Sequence, residues 1–455
     1  MRAGGHVFIV SAVLASLARA ADVPPALDPD IRDIVQAISA DRIQRSIYVL
    51  ASFKTRHTLS DPLPSGDGIG GAASWVRAEF GRASAESGNR LQVALDTFEQ
   101  PPSPPRVPHG AQITNIIATL PGTDASGRTV VVSAHYDSIV SNFMDATSPA
   151  PGADDDGSGT AAVLELAHVM SHYKFGATIV FAVFAAEEQG LYGSAHWAKA
   201  ARQASMDIEA DLNNDIVGNS RSEDGKVDRT TVRLFAQGIP EKPKVDDSFI
   251  SMIRAGGEND SDSRELARAV REIASAYMPS MNIRMIYRAD RFLRGGDQQS
   301  FQDQGYPAVR FTEPAENYRH EHKDVRVVDG VQWGDLPENV DFAYAADVAR
   351  VNAAALSVIA RAPAPPSGVQ IEAARLENDT TLRWSPGTDA NIAGYRIVWR
   401  ETTSPFWEHS VDVARGVTRW TLPGFSKDNA LFGVEAFDSE GHASPAVFPA
   451  TRRTL

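Results

Sequence analysis

The sequence predicts an α/β domain with a mostly parallel central sheet flanked by helices, followed by a smaller all-β sandwich. Three observations carry this expectation. Apolar, β-branched runs alternate with helix-period segments from about residue 30 to residue 360. One of these runs, TIVFAVFAA, is apolar throughout, as a strand covered on both faces would be. Beyond the Pro-rich RAPAPPSG at 361–368 the helical period disappears, and short alternating runs separated by Gly, Pro and Asp take over.

Taken in order, the first segment reads as an export signal. Arg2 precedes the apolar run HVFIVSAVLASLA, and ARA at 18–20 places small residues before a cleavage site after Ala20. The expected location is therefore periplasmic or secreted, with 1–20 removed. Residues 29–56 carry Ile31, Ile34, Val35 and Ile38 at helical spacing. PPSPPRVP at 101–108 breaks the chain before a strand at ITNIIATL. RTVVVSAH is the next strand, and GTAAVLELAHVMSHY suits a helix opening after Gly-Ser-Gly. RELARAVREIASAY is a later helix and PAVRFTE a short strand, whereas the charged stretch 221–262 has no assigned element. The expected units are a domain over 21–362, a linker over 363–367 and a sandwich over 368–455, the last built from TTLRWSP, AGYRIVWRE, TRWTLP and LFGVEAFDSEG.

At 455 residues the chain is too long for one ordinary core, so more than one domain is the default. A net charge of −14 argues against nucleic acid or an anionic membrane surface as partner. No stretch after the signal reaches 18 apolar residues, so no membrane span is expected. Cysteine is absent from the sequence, which leaves only His and carboxylates to hold a metal.

Ligands of open α/β sheets bind beyond the carboxyl ends of the strands, so polar residues there carry information. VVVSAHYDS ends in His135 and Asp137; TIVFAVFAAEEQG ends in Glu187 and Glu188. PGADDDGSGTAA supplies Asp155, MDIEADLNNDIVG supplies Asp215, and ENYRHEHKDV supplies His320 and His322. Burying paired carboxylates is costly unless a cation neutralises them, and a sulfur-free His and carboxylate set suits zinc.

The order H-x-D, D-D-x-G-S-G, E-E-x-G, N-D and a late His before an aspartate resembles the dinuclear zinc aminopeptidases over about residues 30–360. The resemblance implies two zinc ions per chain held by His135, Asp155, Glu188, Asp215 and His320, with Asp155 bridging. It implies Glu187 as general base and Asp137 as the residue that holds the His135 ring. It also implies a cis peptide after Asp155, and hydrogen-bonding rather than metal-binding roles for Asp154 and Asp156. In the family the last ligand follows a tyrosine directly and stands four residues before an aspartate. Here Arg319 intervenes after Tyr318, and counting back from Asp324 gives His320 rather than His322. Gln298 stands where the family commonly has His. HVMSH at 168–172 has the helical spacing of a zinc motif but lacks its glutamate.

The implied activity is removal of residues from the free N-terminus of peptides. Carboxypeptidase, glutaminyl cyclase-type and catalytically inactive binding readings stay open at this level. The last segment resembles a fibronectin type III module through Trp384, Tyr395 and VEAFDSEG, and a surface or protein partner is its expected ligand. Since every implied ligand precedes residue 325, a chain ending near Arg361 is expected to cleave small substrates.

Overall fold

The computed structural model describes residues 27–451 except 125, 241 and 242; the expected signal at 1–20 lies outside the described residues. Helices α1 (Pro29–Ala37), α2 (Ala40–Ser52) and α3 (Ile69–Glu86) lead into strands β1 (Gln92–Gln100), β2 (Ala111–Leu120) and β3 (Arg128–His135). Then come α4 (Gly157–Met170), β4 (Thr178–Phe184), α5 (Tyr192–Gln203), β5 (Asp207–Asn214) and β6 (Thr231–Ala236). Helices α6 (Asp247–Arg254) and α7 (Asp262–Tyr277) precede β7 (Asn282–Ile286), α8 (Gln298–Asp303) and β8 (Ala308–Thr312). A small hairpin of β9 (Arg326–Val328) and β10 (Val331–Trp333) and the long α9 (Phe342–Arg361) follow.

Strands β1 to β8 form one sheet in the order β1-β2-β4-β3-β5-β8-β6-β7. Its middle, β4-β3-β5-β8, is parallel, with antiparallel pairs β2/β4 and β6/β8 on either side. Alternation along β3 and β4 explains the two faces. Val130, Val132, Phe181 and Val183 pack with α1 to α4, α7 and α9, while Val131, Val180, Ala182 and Phe184 pack with α5 and α8. The run TIVFAVF is apolar throughout because both its faces are covered. Helix α9 is long and apolar enough to cross a membrane by composition, but most of it is buried in this core.

Two expectations change in detail. Residues 29–56 form two helices, because Ser39 caps α2 by accepting from the Arg42 N–H and its own N–H donates to Glu165. The charged stretch 221–262 contributes β6, a strand of the main sheet between β8 and β7, so its centre belongs to the core.

The C-terminal part holds β11 (Gln370–Ile371), β12 (Thr380–Arg383), β13 (Ile392–Glu401), β14 (His409–Ala414), β15 (Arg419–Leu422), β16 (Ala430–Asp438) and β17 (Ala450–Thr451). They make a four-stranded sheet, β15-β12-β11-β17, and a three-stranded one, β14-β13-β16, around a shared core that includes Trp384 and Tyr395. This unit is docked by buried charge. Arg400 Nη2 lies 2.6 Å from Asp260 Oδ1, which Arg268 of α7 also meets at 3.1 Å. Arg268 Nε donates to the Pro405 carbonyl and Trp407 Nε1 donates to Glu265. Arg400 and Asp260 are both almost fully buried, so losing one partner leaves charge without solvent. Arg400→Ala should therefore destabilise the protein by about 3 kcal/mol, read as a lower urea midpoint. An unchanged midpoint would mean that Arg268 alone satisfies Asp260. A chain ending near Arg361 would bare the same cluster, so its folding must be checked before its activity.

Candidate metal centre

The parallel strands bring their carboxyl ends to one edge, and a cleft of about 970 Å³ opens there. His135 is the last residue of β3 and is buried. Its Nε2 lies 3.3 Å from Asp155 Oδ1 and 3.8 Å from Asp215 Oδ1. The other oxygen of Asp155, Oδ2, lies 2.8 Å from His322 Nε2, which is 3.0 Å from Glu188 Oε1. Two trios, His135/Asp155/Asp215 and Asp155/Glu188/His322, thus share one carboxylate.

Local structure aims each group. Asp155 precedes α4, and the Asp155–Asp156 peptide is cis. Asp156 caps α4 through the Gly159 N–H and also accepts the His135 and Ile216 N–H groups, so it ties β3, α4 and the end of β5 together. Asp154 accepts the Gly218 N–H. Asp335 accepts the N–H groups of both Asp154 and Asp155, fixing the backbone on which the shared carboxylate stands. Gly159 is required here, since a Cβ would lie 2.1 Å from the Asn214 carbonyl. Arg56, fully buried, donates to the carbonyls of Tyr136, Pro151 and Gly152 and so clamps both ends of the loop between His135 and Asp155. Burial lowers its pKa to about 10 against the pull of nearby aspartates.

Glu187 and Glu188 follow β4, and Asp137 accepts both of their backbone N–H groups at 3.2 Å. The His135 Nδ1 is 3.5 Å from the Asp137 carboxylate and 3.2 Å from its carbonyl oxygen. Ala186, Ile216 and His322 all have positive φ near 50–60°, a sparsely populated conformation for non-glycine residues. They stand beside Glu187, beside Asp215 and at the imidazole itself, where such backbone turns are found when the surroundings impose them.

Electrostatics point the same way. Burial disfavours a charged His135, but Glu187, Asp137, Asp155 and Asp215 override it and hold the imidazole pKa well above its ordinary value. Burial likewise opposes a charged His322, and Glu188 and Asp155 reverse it. Burial also pushes Glu187 well above the carboxylate range, helped by Glu188, Asp215 and Asp297 and opposed by His135. A concentration of negative charge of this kind is what a pair of cations would neutralise.

The donor set fits divalent metal. Ligands about 2.0–2.2 Å from a tetrahedral zinc lie about 3.3–3.6 Å from one another, and the separations here run from 2.8 to 3.8 Å. Glu188 Oε1 is buried, with the His322 Nε2 3.0 Å away. The residues that would hold metal are His135, Asp155, Glu188, Asp215 and His322. Glu187, half-buried in the cleft wall, stands in neither trio.

His320, expected as the last ligand, is in neither trio and needs correction. It borders a separate water-sized cavity with Asp154, Asp155, Asn219, Glu313 and Asp335. In the turn at 317–323, where the His320 N–H donates to the Asn317 carbonyl, His320 does not line the cleft and the left-handed His322 does. Tyr318 is 53 % exposed and does not border the cleft. His168 of HVMSH pairs with Glu86 on the surface instead.

Three further residues support the site from outside both trios. Arg310, fully buried on β8, holds Asp215 at 2.8 Å and Asp290 at 2.9 Å. Gln298 donates to that same Asp290, so it supports the site from behind Arg310. Asp335 is the third. Gln298 is marked in sequence by the family segment around it, and Arg310 stands out as a lone cation inside the apolar strand AVRFT, whereas Asp335 leaves no trace.

Residues 115–343 match the model of peptidase family M28. A probable zinc metalloprotease of Leptosphaeria maculans is 44% identical, covering 94% of this chain and 98% of that protein. A second, from Pyrenophora teres f. teres, is 41% identical over 94% of this chain and 88% of its own length. The fold is similar to that of Legionella pneumophila LapA, with 19% identity and a TM-score of 0.52 over 73% of this chain and 76% of that one. It is also similar to an aminopeptidase from Aneurinibacillus sp. strain AM-1, with 15% identity and a TM-score of 0.50 over 73% and 96% of the two chains. The family match across half the chain, and relatives alike along nearly all of it, make this protein a zinc metalloprotease of peptidase family M28.

Proposed function

We propose that the protein is an exported aminopeptidase acting on peptides with a free N-terminus, with two zinc ions per chain. The observation that carries this reading is the pair of trios sharing Asp155, with Glu187 beside them and outside both. When bound, the two ions polarise the scissile carbonyl and lower the pKa of a water. Asp155 holds the two halves of the site together through its separate oxygens. Glu187 takes the proton of the attacking water and returns it to the leaving amine nitrogen, as base and then acid. Its raised proton affinity suits both roles. Carboxylates in excess of those that hold metal would receive the substrate ammonium.

The domain division at 362 and 368 and the fibronectin type III likeness of the C-terminal sheets belong to the same proposal, as does periplasmic or secreted location. The test is a digest of one peptide with free and acetylated N-termini, read by mass spectrometry. Release of the first residue from the free peptide only is expected. Equal cleavage of both forms would remove the aminopeptidase reading, and release from the other end would replace it with a carboxypeptidase.

A further inference from the structure

The cleft has an acidic floor and a rim of a different character. At the floor, Asp155, Glu188 and Asp215 face the proposed metal pair. At the rim, both bordering carboxylates are already engaged: Asp290 by Arg310 and Arg291, and Glu321 by Arg294 and Arg291. Three cations that also line the cleft, Arg106, Arg288 and Lys323, form no ion pair among the described residues. They arrive from three separate loops, after β1, β7 and β8. Two are held in place by aromatic rings, with Arg106 4.5 Å from the Phe143 centroid and Arg288 3.4 Å from that of Phe292. Arg106 Nη1 donates to the Glu188 carbonyl, which leaves its other N–H groups for a carboxylate, and a guanidinium stacked on a ring, as Arg288 is, keeps its N–H edge available. Lys323 directly follows His322.

With metal on the floor, the unpaired charge that remains at the rim is positive. We infer that the cleft selects substrates carrying a carboxylate beyond the scissile bond, either the C-terminus of a short peptide or an acidic side chain near it. This rests on the aminopeptidase reading for which end is released, but the charge preference is read independently of it.

The experiment compares Leu-Ala-Ala, its C-terminal amide and the amide of Leu-Glu-Ala with the metal-loaded full chain, by mass spectrometry of products. Three weak, partly exposed contacts together correspond to a KM about tenfold lower for the free acid than for the neutral amide. Recovery of the low KM by the Leu-Glu-Ala amide would assign the cations to any nearby carboxylate; failure to recover it would assign them to the C-terminus. Raising the salt concentration should narrow the ratio. Arg288→Gln should narrow it at unchanged metal content, and Arg288→Glu should narrow it further or reverse it. Equal KM for acid and amide, or a ratio untouched by either substitution and by salt, would overturn the inference. Release of alanine instead of leucine would defeat the aminopeptidase reading while leaving the charge preference to be judged on its own ratio.

Discussion

Glu187→Gln should keep the fold and the bound metal and lower kcat by about 10²–10⁴-fold, the usual contribution of a positioned general base. The amide has nearly the shape of the acid, and the Glu187 backbone N–H that anchors the loop to Asp137 is untouched. Glu187 belongs to neither trio, so metal content should not move. The measurement pairs elemental analysis with turnover on a leucyl chromogenic substrate. A variant that loses metal would show that Glu187 is a ligand. One that keeps full activity would show that another group moves the proton.

His322→Ala should release about one of two metal ions and lower activity more than about 100-fold, since a ligand outweighs the supporting contacts that are each worth 10–100-fold. His320→Ala should do neither, because His320 lies outside both trios and borders the small cavity that Asp154, Asp155, Glu313 and Asp335 also line. Elemental analysis of both variants decides the matter. Metal loss in His320→Ala with retention in His322→Ala would reverse the assignment made from the geometry.

The contrast between these histidines shows what the sequence discloses. Strand ends were legible because β3, β4, β5 and β8 are buried on both faces, so their apolar runs stop where solvent and chemistry begin. His135, Glu187, Glu188 and Asp215 could be placed at one sheet edge from that pattern alone. The late histidine follows no strand directly. It sits in an irregular turn whose direction depends on single dihedrals, above all the positive φ of His322, and residue spacing does not encode those. Arg310 and Asp335 were hidden for another reason: they touch the site through partners distant in sequence, Asp215 for one and the Asp154 and Asp155 N–H groups for the other. Strand β6 was missed because its flanks are charged, although the strand itself is buried.

The charged joint between α7 and the C-terminal sheets bears on inheritance as well as on stability. An apolar interface tolerates drift, because one methyl group can replace another. Asp260, Arg268 and Arg400 drift singly only at a cost, since each change removes a partner from a charge that water does not reach. A substitution on one side is therefore expected to favour an answering one on the other, so the catalytic unit and its β-rich companion should descend as one block. The Leptosphaeria relative, alike over 94% of this chain at 44% identity, extends across both.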